Sequence, residues 1–463
     1  MRGLPSHPAT MSNRSLRGLA LIVATLAIPC TSPAQASAHG PSRSTARRVT
    51  TGSYLVGIAS LGDTVWMSWK LRVEGDSVFG APDSPARGMR GTIRRDSVDL
   101  VQYWDSVNVR ARFRAVASNG QLVGTALGTR RGSTAFVDTA QWFAKPIAVR
   151  TGPARAVRFE PSIFYRTFSQ AHAPAMHIFP GDTVETRTVD AGGVDWDGVV
   201  RTAGGNPQTG PFYIEGAMPG DVIAIHLHRV RLNRDFADAG TNLVSSATTA
   251  ELAHGLPDVS HFSGRWTLDR ARGTAKLATP SPALAGYEIP LRPMLGTIAV
   301  APARGQAIRT QDSGPFGGNM DYNALQEGTT VYLTANVPGA LLFIGDGHAA
   351  QGDGELTGDA LETSMDVTFS VELRRGSGIG GPRAESASEI MAIGIAGDLQ
   401  EALRLATSDL ARWIATDYKL NRAEVASILG TALRYDVADM VGTQMSVVAK
   451  LPKRALARLA RNK

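Results

Sequence analysis

Beyond residue 50, apolar and polar residues alternate in short runs with a period of two, which is the pattern of half-buried β-strands. Between residues 51 and 150 turn residues separate these runs, which cover 63–80, 91–104, 108–128 and 133–145. Asn119-Gly120 stands between two alternating runs and predicts a hairpin there. Four tryptophans are large enough to fill a small meander or barrel: Trp66, Trp69, Trp104 and Trp142. We therefore predict a separate, small all-β accessory domain over residues 51–150.

A second unit begins near Val157 and contains one motif twice. In 176–193, and again in 209–233, a strand pattern leads into a Pro-Gly-Asp turn and then into a second strand. Two such units predict a β-sandwich or a barrel of related hairpins. His226 and His228 alternate with apolar residues and so share one face of a strand, which suits either a metal site or a structural role.

Near the C-terminus the pattern changes to a helical period. Over 397–418 the apolar residues recur at helical spacing, namely Leu399, Leu403, Ala406, Leu410, Trp413 and Ile414. Asn421 and Glu424 form the capping-box pattern that opens a second helix, extending to Leu433. A last strand pattern over 443–452 indicates that these helices cover a sheet. The predicted fold class is mainly β, sandwich-like or barrel-like, with a C-terminal α/β portion.

The first 38 residues have the pattern of an export signal. Arg14 and Arg17 precede an apolar run over 19–30, and cleavage fits equally well after Ala36 or after Ala38. The run is shorter than the roughly 20 residues that a membrane-spanning helix needs. We predict a signal peptide over 1–38, a polar linker over 39–50, and a periplasmic or secreted protein with no stable membrane insertion after cleavage.

The cysteine content and the charge of the chain bear on which reactions and partners are expected. Cys30 is the only cysteine and lies inside the predicted signal, so the exported chain would have no disulfide, thiolate nucleophile or cysteine-ligated metal. The formal net charge of +7 comes from the two ends of the chain, and 456–463 are interpreted as a basic tail. No basic patch interleaved with aromatic residues is evident, so no nucleic-acid partner is predicted.

The side chains best suited to bind a metal or to take part in catalysis lie on glycine-rich turns within 314–362. They are Asp321, Asp346, His348, Gln351, Asp353, Glu355, Asp359 and Glu362. A carboxylate and an imidazole two residues apart, joined by Asp321 from another turn, suit Zn²⁺, Mn²⁺ or Fe²⁺. Glu355 would then be free to act as a general base on a metal-activated water. Two other interpretations stay open from the residues alone: a structural Ca²⁺ loop and ordinary Asp-Gly turn chemistry.

Four segments together resemble the acetamidase/formamidase family: 209–221, 314–321, 337–355 and 397–406. The resemblance covers roughly residues 157–455, and its most specific parts are GGNMD and GDGHAAQGDGE. It implies that a β-rich catalytic domain with a divalent metal hydrolyses a small linear amide, such as formamide or acetamide, to a carboxylic acid and ammonia. Residues 51–150 and the predicted signal lie outside it.

Carried over residue by residue, the resemblance implies the following site: Asn319, Asp321, Asp346, His348, Gln351, Glu355 and Asp190. We assign Asp321, Asp346, His348 and Asp190 as ligands of a divalent metal, Zn²⁺ first and Ca²⁺ as the alternative. Glu355 would deprotonate the water and then protonate the departing ammonia. Asn319 or Gln351 would bind the amide oxygen.

The segment 191–208 departs from the family pattern, which makes Asp195 and Trp196 candidates for substrate binding. The predicted function is an exported, metal-dependent amidase. The alternatives are a hydrolase of a larger or cyclic amide and a non-catalytic, Ca²⁺-stabilised binding protein. The sequence leaves a homo-oligomer open.

Overall fold

The computed structural model describes residues 49–60, 62–82, 87–104, 109–118, 120–129, 136–255, 263–376 and 378–459. The predicted signal peptide, almost all of the predicted linker and the end of the basic tail lie outside these ranges. Within them, no helix combines the length and the apolar character needed to cross a membrane.

Eight consecutive antiparallel strands form a closed barrel in the N-terminal part of the described chain. They are β1 (Gly52–Ser60), β2 (Asp63–Glu74), β3 (Ser77–Pro82), β4 (Arg87–Arg94), β5 (Ser97–Trp104), β6 (Val109–Ser118), β7 (Gln121–Thr129) and β8 (Phe136–Pro146). Ser118 of β6 lies opposite Gln121 of β7, so the predicted hairpin is confirmed. The predicted boundaries of the accessory domain stay a prediction.

Three aromatic rings form the centre of the barrel core. Trp69, Phe113 and Trp142 are buried, and their ring centroids lie 4.9 to 5.4 Å apart. Such contacts add about 1 kcal/mol each beyond simple burial. Trp66 was predicted to share this core, but it is only half-buried and contacts Phe143. Because Trp66 and Trp69 are three residues apart on one strand, they point to opposite faces of the sheet. The side chain of Trp104 lies outside the described part.

The rest of the chain contributes twenty-two further strands and three α-helices within the described ranges. The strands are β9 (Ala156–Arg158), β10 (Thr167–Ser169), β11 (Met176–Ile178), β12 (Thr183–Arg187), β13 (Thr209–Ile214), β14 (Val222–Leu232), β15 (Phe236–Asp238), β16 (Arg265–Asp269), β17 (Thr274–Leu277), β18 (Glu288–Pro290), β19 (Met294–Val300), β20 (Ala307–Arg309), β21 (Ser313–Gly314), β22 (Gly317–Asn319), β23 (Thr330–Thr334), β24 (Leu342–His348), β25 (Glu362–Thr363), β26 (Met365–Arg374), β27 (Arg383–Glu385), β28 (Glu389–Ala396), β29 (Arg434–Asp439) and β30 (Met445–Pro452). The helices are α1 (Ala250–Gly255), α2 (Leu399–Tyr418) and α3 (Arg422–Ala432).

Two large sheets share one hydrophobic core. The first has the strand order β29-β30-β28-β27-β23-β14-β26-β12-β9. The second runs β18-β17-β16-β15-β25-β24-β19-β22-β21, with β13 also paired to β24 and β11 to β13. Ile225 and Phe369 of the first sheet are buried in the same cluster as Ile298 and Phe343 of the second. The predicted mainly-β fold class is therefore confirmed.

The two Pro-Gly-Asp turns are corners between sheets. β11 and β13, which precede the turns, pair with each other in parallel. β12 and β14, which follow the turns, both pair with β26 in the other sheet. The repeat is real, but the prediction that each turn closes a hairpin is wrong, because the strands on either side of a turn enter different layers of the sandwich.

Asp182 stabilises the first of these corners. Replacing it measures how much this carboxylate contributes to the free energy of unfolding. Its carboxylate is fully buried, accepts backbone N–H groups from Arg155 at 2.8 Å and Phe179 at 3.0 Å, and pairs with the Arg150 guanidinium at 2.9 Å. Burial opposes ionisation, but these hydrogen bonds outweigh it and lower the pKa of Asp182 to about 2.

Asp182→Asn should therefore lower the free energy of unfolding at pH 7 by about 2 kcal/mol. A depressed carboxyl pKa stabilises the fold above its unfolded value near 4, and this contribution is lost as the pH falls towards 2. Urea unfolding of both proteins at pH 7 and pH 3 measures the difference, with Glu185→Gln on the exposed side of β12 as control. A difference that grows at pH 3 contradicts the assignment.

The helices at the C-terminus cover the first sheet, as predicted. Asp398 caps α2, Asn421 and Glu424 form the predicted capping box of α3, and α2 packs on β28 and β30. The buried face of α2 consists of Ala402, Ala406, Asp409, Leu410, Trp413 and Ile414. Leu403 was predicted to share this face but is exposed. Helix α3 ends at Ala432, one residue before the predicted end.

Candidate active site

Four polar residues around the predicted site have a backbone in the left-handed region. Their φ angles are 58° at Asn206, 42° at Asp321, 58° at Asp346 and 49° at Glu355. Residues other than glycine rarely adopt this conformation, which costs on the order of 1 kcal/mol or more each, and such residues cluster at functional sites. Asn and Asp tolerate the left-handed conformation best, which explains the residue type at three of the four positions.

Gly296 makes room for two facing carboxylates. In β24, Gly345 pairs with Thr297 of β19 and Gly347 with Leu295, which leaves Asp346 between them. A Cβ atom at Gly296 would lie 2.3 Å from Oδ1 of Asp321 and 2.6 Å from Oδ2 of Asp346. Since any side chain there would displace both carboxylates, glycine at this position is a requirement of the site.

Six titratable side chains meet in one buried cluster. They form three overlapping triads: Asp321, Asp346 and His348; His348, Glu355 and Glu362; and Asp321, Glu355 and Asp439. Within each triad the candidate ligand atoms lie within 4.8 Å of one another. Nε2 of His348 lies 3.0 Å from Glu362, 3.4 Å from Asp346 and 4.0 Å from Asp321. The structure thus brings together three of the four predicted ligands and Glu355.

Gln351 positions His348. Its Oε1 accepts from Nδ1 of His348 at 2.8 Å, which leaves Nε2 to face the carboxylates. Its Nε2 donates to the carbonyl oxygens of Asp321 and Ala438. The prediction that Gln351 binds the amide oxygen is wrong, because both ends of its side chain are already engaged with the protein.

Asn319 lies on the wall of the cleft and connects two strands of the site. Its Oδ1 accepts from Nδ2 of Asn206 at 2.5 Å and from Oγ1 of Thr297 at 2.7 Å, and its Nδ2 donates to Oδ2 of Asp321. Nδ2 of Asn206 also donates to Oδ2 of Asp346 at 2.9 Å. One N–H of Asn319 thereby orients Asp321. The other N–H has no acceptor among the described residues and is available to a molecule in the cleft.

The cluster has more negative charge than its single imidazole can balance. Burial raises the pKa of Asp321 and of Glu355 well above the ordinary range, that of Glu362 to about 7 and that of Asp439 to about 6. Burial disfavours a charged imidazole, but Glu362 and Asp346 outweigh it and raise the pKa of His348 well above its usual value. A divalent cation would balance this charge.

Three buried polar atoms of the cluster have no hydrogen-bond partner among the described residues: Oδ1 of Asp321, Nε2 of His348 and Oε2 of Glu362. An unsatisfied buried polar atom costs about 1–3 kcal/mol. A cation bound at these atoms would remove that cost. The residues therefore fit a metal ion, and the assignment of Asp321, Asp346 and His348 as its ligands stays a prediction.

The cluster lies at the base of an open cleft of about 660 Å³. Seven carboxylates are among the residues that line it: Asp190, Asp238, Asp312, Asp346, Glu355, Asp359 and Glu362. Asn206 and Asn319 complete the wall next to the cluster. The cleft gives a solute access to Asp346, Glu355 and Glu362.

Residues 293–388 match the model of the Acetamidase/Formamidase family. The resemblance to this family is confirmed. A protein of Schizosaccharomyces pombe assigned as a formamidase is 43% identical over 58 residues, which are 12% of this chain and 14% of that protein. The solved acetamidase of Yersinia enterocolitica is similar at 29% identity and a TM-score of 0.56, over 65% of this chain and 94% of that one. The solved structure of a predicted acetamidase/formamidase of Thermoanaerobacter tengcongensis is similar at 25% identity and a TM-score of 0.56. The match covers 66% of this chain and 97% of that one.

The matched acetamidase/formamidase segment contains five of the six cluster residues, and Asp439 lies beyond it. The sequence motifs assigned no role to Glu362, although it lies in the glycine-rich segment 314–362. Asp439 at the end of β29 and Asn206 in the loop 191–208 had no recognisable local motif. They reach the site only because separate strands converge there.

Asp190 was predicted as a metal ligand, and the structure gives it another partner. Its Oδ2 forms a buried ion pair with Nη2 of Arg234 at 2.6 Å, and its Oδ1 accepts from the backbone of Val194 at 2.8 Å. It belongs to none of the triads found among the described residues. The ligand prediction for Asp190 is therefore wrong, because an arginine already balances its charge. In this acetamidase/formamidase-like site it forms part of the cleft wall.

Asp195 and Trp196 were predicted to bind substrate, but neither lines the cleft. Asp195 is fully buried, accepts from the backbone of Asp197 and Val199, and pairs with Arg201 at 2.5 Å. Trp196 lies against the guanidinium of Arg187, 4.6 Å from the ring centroid. Both predictions are wrong, because these side chains stabilise the loop in which they lie.

The two strand histidines are also accounted for without a metal. His226 hydrogen-bonds to Thr330 at 2.9 Å and His228 to Ser370 at 2.7 Å, and neither belongs to a candidate metal group in the described part of the chain.

Proposed function

We propose that this protein is an exported, metal-dependent amidase that hydrolyses the C–N bond of a linear carboxamide to a carboxylate and ammonia. The observation that carries the proposal is the buried group of Asp321, Asp346 and His348, with unpartnered atoms, at the base of an open cleft beside Glu355. The resemblance to acetamidases and formamidases supports the choice of an amide as substrate.

Asp321, Asp346 and His348 would hold the metal, and a ligand set of two carboxylates and one imidazole suits Zn²⁺. An ion there would supply a Lewis acid for the amide carbonyl and would make water a better nucleophile. Glu362 lies close enough to His348 to add a further oxygen to the set.

Glu355 is the proposed general base and acid. Its Oε1 accepts the backbone N–H of Ala360 at 2.9 Å, which fixes the side chain at the cleft wall. Its raised pKa suits a carboxyl group that gains and loses a proton during turnover. Glu355 takes a proton from the attacking water, whose oxygen bonds to the carbonyl carbon. Glu355 then gives the proton to the amide nitrogen, and the C–N bond breaks to release the carboxylic acid and ammonia.

Asn319 is the proposed donor to the amide oxygen. The N–H that is not bound to Asp321 is available at the cleft wall, where it would donate to the oxygen as negative charge develops. A positioned donor of this kind stabilises the transition state more than the bound substrate.

Ammonia release from a panel of amides tests the proposal. The purified protein should release ammonia, and removal of metal with a chelator should lower the rate by about a hundredfold or more. Added Zn²⁺ should restore it. Protein that co-purifies with Ca²⁺ and releases no ammonia from any amide would support the non-catalytic, Ca²⁺-stabilised binding protein instead.

The export step is supported by the sequence of the first 38 residues. N-terminal sequencing of the protein recovered from the periplasm or the medium tests it, with an N-terminus at Ser37 or at His39 expected. Protein found only in the cytoplasm and starting at Met1 contradicts it.

A further inference from the structure

We propose that the cleft selects amides that carry a positive charge several bonds away from the carbonyl, and that Asp359 is a specificity-determining residue for that charge. The inference names a substrate class for the amidase function proposed above and rests on it. It follows from the size of the cleft, its charge, and the one lining carboxylate, Asp359, that has no counter-charge among the described residues.

The cleft is much larger than formamide or acetamide requires. Its volume is about 660 Å³, whereas an amide of three or four heavy atoms fills roughly the space of three waters, on the order of 100 Å³. Pockets of several hundred Å³ are typical of sites that enclose ligands of many more atoms. Space beyond the cluster is therefore available for the rest of a longer substrate.

The lining is acidic, and only part of its charge is compensated. Arg309 is the one basic residue among the described residues that line the cleft. Three of the seven carboxylates have guanidinium partners: Asp190 with Arg234 at 2.6 Å, Asp238 with Arg265 at 2.5 Å, and Asp312 with Arg309 at 3.0 Å. Asp346, Glu355 and Glu362 belong to the buried cluster, where a divalent cation would balance them.

Asp359 is the carboxylate that remains. It is exposed at the cleft rim, and within the described chain its side chain has neither an ion pair nor a hydrogen bond. A cationic group that enters the metal-loaded cleft would be attracted to this carboxylate.

The proposed metal site lies at the base of the same cleft, where the carbonyl of an amide would bind. Glu362 lines it, is 7% exposed, and has its Oε2 unpartnered. The cleft thus combines a buried, unsatisfied carboxylate oxygen at its base with an unpaired carboxylate at its rim. An amide with a remote ammonium group is suited to bind at both ends, with its carbonyl at the cluster and its charge near Asp359.

Pairs of substrates with the same shape but different charge isolate the effect of that charge on kcat/KM. 4-Aminobutanamide and pentanamide differ only by an ammonium in place of a methyl group, as do 5-aminopentanamide and hexanamide, and succinamate provides an anionic probe. In the zinc-loaded enzyme, kcat/KM should favour each cationic amide over its partner by about tenfold and disfavour succinamate. The preference should decrease between about 10 mM and 0.5 M salt, because salt screens the field of the cleft.

Asp359→Asn tests the assigned residue. The ratio of kcat/KM for 4-aminobutanamide to that for pentanamide should fall by about fivefold, mainly through KM. Asp353→Asn is the matched control, because Asp353 lies on the same glycine-rich segment, accepts from Asn323 at 2.8 Å and does not line the cleft. That variant should keep the wild-type ratio.

The outcomes separate the two proposals. Equal kcat/KM values within both isosteric pairs, with clear hydrolysis of the neutral amides, overturn the charge selectivity and leave the amidase function standing. An unchanged ratio in Asp359→Asn, with a cationic preference in the wild type, overturns the role of Asp359. No ammonia from any amide overturns the amidase function itself.

Discussion

Replacing Glu355 by glutamine should lower kcat for ammonia release by about a thousandfold, because a positioned proton-transfer group contributes about 10²–10⁴ to the rate. Glutamine has nearly the same shape, and its Oε1 can still accept the N–H of Ala360 that holds the side chain at the cleft wall. It cannot accept a proton from water or return one to the leaving nitrogen. The expected result is therefore a folded protein that binds metal but does not turn over.

Steady-state kinetics with an amide that the wild type hydrolyses measures this effect, and metal analysis of the same preparation measures metal content. Glu251→Gln, an exposed glutamate in α1, is the control for loss of one carboxylate. Activity within about tenfold of the wild type would remove Glu355 from the role of general base. A fall in metal content would instead make Glu355 a ligand, as its place in two of the three triads allows.

Replacing His348 by alanine should remove most of the bound metal and lower activity at least a hundredfold, since changing even a residue that merely supports a ligand costs about 10–100-fold. His348 supplies the one nitrogen in the cluster, and Gln351 holds its ring so that Nε2 faces the carboxylates. Without it the remaining ligands are all oxygens, which favour Ca²⁺ or Mg²⁺ over Zn²⁺.

Metal per chain after gel filtration, followed by titration of the metal-free protein with Zn²⁺, checks the prediction independently of activity. His228→Ala is the matched control, because this exposed histidine hydrogen-bonds to Ser370, stacks with His226 and lies outside the buried cluster. Unchanged zinc content in His348→Ala would exclude His348 from the ligand set. The variant leaves a small buried void, so a thermal melt of the metal-free proteins is needed to confirm that the fold is intact.

Local patterns were sufficient for the longer strands and for the two C-terminal helices, but they assigned no element over 233–290, where the structure has β15 to β18 and α1. Period-two runs predicted the strands of the barrel, and the helical spacing from Leu399 to Ile414 predicted α2. The capping box at Asn421 predicted the start of α3 because both of its hydrogen bonds span only three residues. Asp346 and His348, two residues apart in one strand, lie in the same buried cluster.

Predictions that required a partner distant in the chain were wrong more often. Asp190 resembles a ligand in sequence, but its partner Arg234 lies 44 residues away. Gln351 was given a catalytic role because the sequence does not reveal that His348 and the carbonyl of Asp321 use both ends of its amide. The error at Trp66 was of a different kind, because the local strand period already assigns this residue to the face opposite Trp69.

The amino-acid sequence was enough to predict the mainly-β fold class and the glycine-rich segment that supplies most of the cluster, and it contains no cysteine beyond the predicted signal. These features depend on composition, on short periods and on turn residues, which act over a few positions. Three features follow from how distant parts of the chain pack. The Pro-Gly-Asp turns join two sheets, Asp439 and Asn206 reach the site, and the Asp359 side chain has no partner among the described residues. Each of these depends on which distant strands lie side by side, and that choice is made by burial of the shared core rather than by any local pattern.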